Sequence, residues 1–133
     1  MLLFLKYNKW ALLWALLILA LCGIPGKDIP HISFLEILSF DKFVHAALFF
    51  VLILLAIRGF LLQENSIKLK HSAKWLALLL CIVYGGLLEI MQAKLFEGRN
   101  ADLFDFLANS LGSTIGFVFY NKLEKIFLIR FIN

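Results

Sequence analysis

Charged residues are scarce in this chain, and their scarcity excludes an ordinary soluble globular protein. Only 17% of the 133 residues are Asp, Glu, Lys or Arg, while 62% are hydrophobic. Soluble domains contain about a quarter charged and about half apolar residues. The composition therefore predicts an integral membrane protein with no appended soluble domain, and no nucleic-acid partner is expected.

Cysteine and proline are also rare. The two cysteines, Cys22 and Cys81, form no CxxC motif and lie in apolar runs, which favours small packing residues over a disulfide. Both prolines, Pro25 and Pro30, lie in one predicted loop. The sequence predicts no resident metal and no cofactor.

Four apolar runs predict a four-helix transmembrane bundle, an all-α fold forming one domain over residues 1–133. A helix needs about 20 residues to cross the hydrocarbon core, and a helix satisfies its own backbone in lipid. No small-x-small cleavage site follows the first run, so we expect a retained helix rather than a signal peptide. The predicted helices span about 4–24, 43–62, 75–92 and 103–120.

Two connecting segments are less regular. The first outer loop contains the apolar segment SFLEILSF, which is too short to span and leaves room for a short interfacial or re-entrant helix. The tail from Asn121 to Asn133 is either an interfacial helix or a continuation of the fourth helix, and the sequence leaves both open.

The distribution of basic residues predicts that both termini are cytoplasmic. With this orientation, nine of the 13 lysines and arginines lie in cytoplasmic segments, and four lie outside: Lys27, Lys42, Lys94 and Arg99. Such a bias follows the positive-inside rule.

Polar residues at the outward ends of three helices form the candidate site. Ionisable groups within apolar runs are costly, so they are a functional hypothesis by default. Residues three or four apart share a helix face. The candidates are Asp41, Lys42 and His45 on the second helix, Glu89 and Gln92 on the third, and Arg99, Asp102, Asp105 and Asn109 at the fourth. Their spacing predicts an outward-facing polar cavity that binds a ligand.

Small residues continue these stripes into the bundle, where they allow neighbouring helices to approach closely. They are Gly85 on the third helix and Ala108, Gly112 and Gly116 on the fourth. Ser110 and Ser113 are predicted to lie off the stripe, so no hydroxyl nucleophile is assigned to the polar face and no catalytic residue is named.

The same groups have a structural interpretation. Asp41 and Asp102 are suited to cap the helices that follow them. Glu89 lies three residues inside the end of its run, so it needs either a proton or a partner. Candidates for that partner are Arg99, Lys42 and His45. A network that only holds three helices together remains an alternative to a ligand site.

These residues resemble the VanZ-like family of bacterial membrane proteins. The resemblance rests on three ordered blocks: Asp41-Lys42-x-x-His45, Gly85-x-x-x-Glu89-x-x-Gln92, and Gly98-Arg99-x-x-Asp102-x-x-Asp105-x-x-x-Asn109-x-x-Gly112-x-x-x-Gly116. It covers roughly residues 38–120, and the first helix fits by position only. Asn100 replaces a small hydroxyl residue expected after Arg99, and Asn can serve the same capping chemistry.

The resemblance implies a multi-pass protein of the bacterial cytoplasmic membrane with its polar site toward the extracytoplasmic face. It also implies a role in the cell envelope, linked to resistance to the glycopeptide antibiotic teicoplanin. The first compatible function is binding or translocation of a polar or anionic head group of a lipid or cell-wall precursor. Lys42, His45 and Arg99 would pair with an anion, while the carboxylates would orient those cations or bind an amine.

Two other functions are compatible with the same residues. One is a membrane-embedded enzyme that acts on an envelope lipid phosphate by acid–base or metal-assisted chemistry, using the carboxylates and His45. The other is a scaffold or regulator whose polar face docks a partner membrane protein.

Overall fold

The computed structural model describes residues 2–24, 34–63, 66–96 and 100–126, with the backbone alone at 2, 34–39 and 126. These residues form four α-helices and no strand: α1 (Leu2–Cys22), α2 (Phe34–Leu61), α3 (Ile67–Leu95) and α4 (Leu103–Ile126). All four are long and apolar enough to cross a membrane. The predicted all-α, four-helix fold is confirmed.

The helices extend beyond the apolar runs that predicted them. Residues 34–39, where the sequence left room for a short interfacial or re-entrant helix, are the first residues of α2. α3 begins at Ile67 rather than near residue 75. Ser66 caps this start by accepting a hydrogen bond from the Leu69 N–H at 3.2 Å. Lysines near this end can keep their charges in water while their stems follow the helix, so hydropathy alone ends the helix too early.

The chain beyond the fourth apolar run continues α4. The helix runs to Ile126, so the part of the tail that the structure describes is a continuation of α4. The sequence predictions for residues 25–33, for Arg99 and for residues 127–133 lie outside the described residues.

α2 is the central helix, because it packs against α1, α3 and most extensively against α4. Its buried face contributes Phe49, Ile53 and Ile57 to the core, where Tyr120 of α4 is also fully buried. α1 is held partly by polar bonds to helix carbonyls. Those bonds run from Trp14 Nε1 to Leu48 at 3.0 Å and from the Tyr84 hydroxyl to Ala15 at 2.6 Å.

Close contact between α2 and α4 sets the position of the polar residues. A Cβ added at Gly112 would lie 2.7 Å from the carbonyl carbon of Ala46, and one at Gly116 would collide with Ile53. Small residues therefore let the two backbones approach. Because α2 and α4 run parallel, the residues before Ala46 on α2 lie beside the residues before Gly112 on α4. We call this the polar end of the bundle: residues 41–45 of α2, the last two turns of α3, and residues 102–109.

Candidate functional site

Lys42 is the centre of the charged residues at the polar end. Its ammonium group lies 2.6 Å from Asp102 Oδ2, is hydrogen-bonded to Asp105 Oδ1, and lies 3.6 Å from Asp41 Oδ2. Its side chain is 21% exposed, and that of Asp105 is 9% exposed. One lysine thus joins α2 to α4 through several carboxylates.

His45 lies one turn deeper between the same two helices. Its Nδ1 is 3.1 Å from Asn109 Oδ1, and because a carbonyl oxygen only accepts, Nδ1 donates this hydrogen bond. Nε2 then faces Asp41 Oδ1 at 3.8 Å and Asp105 Oδ2 at 3.7 Å. The imidazole is oriented by an amide on one side and by two carboxylates on the other.

Glu89 connects the end of α3 to the start of α4. It is only 7% exposed, and its Oε2 accepts a hydrogen bond from the Asp102 N–H at 2.9 Å. Its other oxygen, Oε1, is buried and has no hydrogen-bond partner among the residues that the structure describes. The described partner of Glu89 is therefore a backbone amide rather than Lys42 or His45.

Asp102 both caps α4 and pairs with Lys42. Its Oδ1 accepts from the Phe104 N–H at 2.8 Å, and its carbonyl accepts from Asp105 and Phe106 at 3.0 and 3.2 Å. Its Oδ2 accepts from Lys42. The hydrogen bond from Lys42 holds the pKa of the Asp102 carboxyl below its ordinary value, and the Phe104 N–H acts in the same direction.

A groove of about 440 Å³ opens between α3 and the start of α4 beside these acids. Its polar side consists of Glu89 and Asp102, and its apolar side includes Leu103 and Phe106. Gly86 forms part of the wall, where an added Cβ would lie 3.6 Å from the Phe106 ring. The groove therefore places carboxylates next to an apolar surface.

Most of the predicted site residues meet in one cluster, which we call the polar network. Its members are Asp41, Lys42, His45, Glu89, Asp102, Asp105 and Asn109. Gln92 is apart from it: this buried side chain donates to the Cys22 carbonyl of α1 at 3.4 Å.

Sequence reasoning missed two features of this region. Ser113, predicted to lie off the polar stripe, is fully buried four residues after Asn109 and donates to the Asn109 carbonyl at 2.9 Å. The four-residue spacing was the available signal. The apolar wall of the groove, from Gly86 to Phe106, had no signal, because lipid-facing and ligand-facing apolar residues look alike in sequence.

Asp41, His45 and Asp105 offer a possible metal-ligand set, since one donor atom of each lies within 4.8 Å of the others. Carboxylate and imidazole ligands suit several divalent ions. However, the Lys42 ammonium is bonded to Asp105 and lies 3.6 Å from Asp41. This lysine already supplies a cation to two of the three ligands.

The chain matches the model of the VanZ/LLP1 family over residues 2–128. It belongs to the VanZ/LLP1 family. The match confirms the resemblance carried by the three sequence blocks and extends it through the first helix. Comparison with curated proteins and with solved structures found no match. This VanZ/LLP1 member is thus a four-helix membrane protein with a polar network at one end of its bundle.

Proposed function

We propose that this VanZ/LLP1 protein binds or translocates the polar head group of an envelope lipid or lipid-linked wall precursor, in the groove between α3 and α4. The observation that carries the proposal is Glu89. This acid is buried, lines the groove and leaves one carboxylate oxygen unpartnered among the described residues. An unpartnered buried acceptor is costly, and a ligand that supplied a donor would remove that cost.

The two sides of the groove support an amphiphilic ligand. The carboxylates of Glu89 and Asp102 suit a polar head, while Leu103 and Phe106 suit the start of an alkyl chain. Leu103 is 68% exposed, as is typical of a side chain facing lipid. A ligand could therefore enter from the membrane itself. The basic residues of the opposite loops support an extracytoplasmic position for this end of the bundle.

The polar network supports a preorganised site rather than a loose surface patch. Close packing of α2 on α4 fixes Lys42 and His45 against Asp105 and Asn109. Glu89 ties α3 to the same helix through the Asp102 N–H. Sites held by rigid helices and hydrogen-bonded neighbours lose less free energy on binding.

A direct test compares the lipids that co-purify with the protein to those of the surrounding membrane by mass spectrometry. Gly86→Leu fills the groove, whereas Gly86→Ala adds one methyl group with space to accommodate it. We expect a lipid enriched on the wild type, kept on Gly86→Ala and depleted on Gly86→Leu. A wild-type sample whose lipids match the bulk membrane contradicts the proposal.

Acid–base catalysis on the bound lipid is a second candidate, favoured by the position of His45 Nε2 between Asp41 and Asp105. An imidazole oriented by carboxylates is a common general acid or base. His45→Gln should then retain lipid binding while abolishing phosphate release from lipid phosphates in vesicles. A wild type that releases no phosphate contradicts this second candidate and leaves the binding proposal intact.

A further inference from the structure

We infer that the head group bound in this groove carries a positively charged amine. The inference rests on the proposed function and assigns the chemical class of its ligand. The reason is the charge balance of the polar network. Among the residues that the structure describes, the network contains four carboxyl groups, from Asp41, Glu89, Asp102 and Asp105, and one permanent cation, Lys42.

Among the described residues, the negative charges outnumber the positive charges in either protonation state of His45 and of Glu89. A doubly protonated His45 adds one positive charge, and a protonated Glu89 removes one negative charge, yet the acids still predominate. Lys94, in the last turn of α3, is exposed and lies outside the network. The described network therefore attracts a cation and repels an anion.

Lys42 has little capacity left for an anionic ligand. An ammonium group has three donors and no acceptor. Its nearest oxygens are those of Asp102 and Asp105, with Asp41 at 3.6 Å. A phosphate approaching Lys42 would also approach these carboxylates. This distribution departs from the sequence prediction that Lys42 pairs with an anion.

Glu89 indicates where the amine binds. A carboxylate is an acceptor only. Glu89 lines the groove, and its Oε1 has no hydrogen-bond partner among the described residues. An ammonium group donates hydrogen bonds and neutralises charge, so it satisfies this oxygen in both respects. A phosphate would bring a second negative group against Glu89. Asp102, on the same wall, adds further attraction for a cation.

The experiment uses the intact protein in nanodiscs that contain equal amounts of phosphatidylethanolamine and phosphatidylglycerol with identical acyl chains. Native mass spectrometry then counts the lipids retained on the protein. We expect retention of the amine lipid to exceed that of phosphatidylglycerol by about tenfold, which is the ratio expected for one modest charge-assisted contact. Glu89→Gln keeps an acceptor for the Asp102 N–H but removes the charge, so it should abolish the preference. Glu124→Gln, at the other end of α4, should keep it.

Two further ligands test the inference on the unmodified protein, whatever the stability of Glu89→Gln. N-acetyl phosphatidylethanolamine lacks the positive charge and should lose the preference. Free ethanolamine tests whether the amine alone suffices for binding. If millimolar ethanolamine displaces phosphatidylethanolamine, the site binds an amine without acyl chains. If it does not, the site requires an amine that is part of a lipid. Either result supports a positively charged amine as the ligand, provided that N-acetylation of phosphatidylethanolamine removes the preference.

The outcomes separate this inference from the proposed function. If phosphatidylglycerol is retained as well as the amine lipid, and Gly86→Leu removes both, the groove binds head groups but the amine assignment is wrong. If the wild type retains N-acetyl phosphatidylethanolamine as well as the parent lipid, the assignment is also wrong. If no lipid is retained above its bulk proportion, both the inference and the proposed function fail.

Discussion

Both ends of the α2–α4 pair hold opposite charges, but among the described residues only one end holds an excess of acid. At the polar end, Lys42 is shared among Asp41, Asp102 and Asp105. At the other end, which we call the Arg58 end, Arg58 lies 3.7 Å from Glu124. The hydroxyl of the fully buried Tyr120 lies 3.5 Å from the same carboxylate.

The difference suggests how to separate a structural ion pair from a ligand site. The described pair of Arg58 and Glu124 balances one positive charge with one negative charge. As far as the structure describes it, the polar end keeps uncompensated acid and an unpartnered oxygen on Glu89, next to a groove. Such an arrangement is expensive in a membrane protein unless something else binds there. Charge imbalance, rather than the presence of charge, distinguishes the candidate site.

Replacing Lys42 should have the largest effect on stability. Lys42→Gln leaves Asp102 and Asp105 close together without their shared cation. Breaking a buried charge pair costs about 3 kcal/mol, so we expect the free energy of unfolding to fall by about this amount. Denaturation of the purified protein by SDS, followed by circular dichroism, measures it.

The matched control is Lys94→Gln, which removes an exposed lysine from the last turn of α3 at the same end. It should change the unfolding midpoint little, because isolated surface charges contribute little. Equal losses in the two variants would mean that net charge at this end matters and that the position of Lys42 does not.

Substitution of Gly112 should have the next largest effect, because it separates the helices that form the polar end. The Cβ of Gly112→Ala would meet the Ala46 backbone at 2.7 Å, where no side chain can move aside. Overpacking of this kind costs about 2 kcal/mol. Thermal unfolding in detergent measures the loss, and weaker lipid retention should accompany it.

Gly86→Ala is the control for this steric effect, since its nearest contact is the Phe106 ring at 3.6 Å. There the higher helix propensity of alanine should leave stability unchanged or raise it by up to about 1 kcal/mol. If Gly112→Ala is equally well tolerated, the close approach of α2 and α4 is not what holds the polar network together.

Acid should weaken the polar end through Asp102. Its pKa lies below the ordinary value of 3.8 in the folded protein, chiefly because Lys42 donates to it. The unfolded chain therefore binds more protons in the window between the two pKa values. The stability that Asp102 supplies is fully present above the ordinary value and is lost as pH falls through the lowered one.

The comparison of wild type with Asp102→Asn isolates this contribution. Asn keeps the ability to cap α4 but not the charge. The stability difference between the two proteins should be present at neutral pH and should disappear in acid, as measured by unfolding midpoints across a pH series. Both proteins keep the other ionisable groups of the network: Asp41, Lys42, His45, Glu89 and Asp105. A difference that stays constant with pH would contradict the assigned cause.

Much of the polar end could be predicted from the sequence, because helix periodicity determines which residues share a face. Asp102, Asp105 and Asn109 are spaced three and four apart, and they lie beside the start of α2 because the second and fourth helices of an up-and-down bundle run parallel. What periodicity does not give is the rotation of each helix about its own axis relative to its neighbours. For that reason the sequence groups Gln92 with the site, whereas in the structure its side-chain amide donates a hydrogen bond to the Cys22 carbonyl of α1.

Local hydrogen bonding was the second limit. The sequence predicted a cation or a proton for Glu89, since only charged or titrating side chains can be seen in a pattern. In the structure its described partner is the Asp102 N–H. The N–H groups at the start of a helix have no acceptor within the helix and therefore need one elsewhere. Helix ends were misplaced for a related reason: hydropathy falls at Lys68 and Lys70, although the backbone of α3 is already helical there.

The smallest effect should come from Glu124→Gln at the Arg58 end. Glu124 is 37% exposed and lies 3.7 Å from Arg58, so solvent screens the pair, and its loss should cost less than about 1 kcal/mol. Gln can still accept from the Tyr120 hydroxyl. Lipid retention and the SDS unfolding midpoint should both stay close to wild type. A loss as large as that of Lys42→Gln would show that the two ends contribute alike, and charge imbalance would then be no guide to the ligand site.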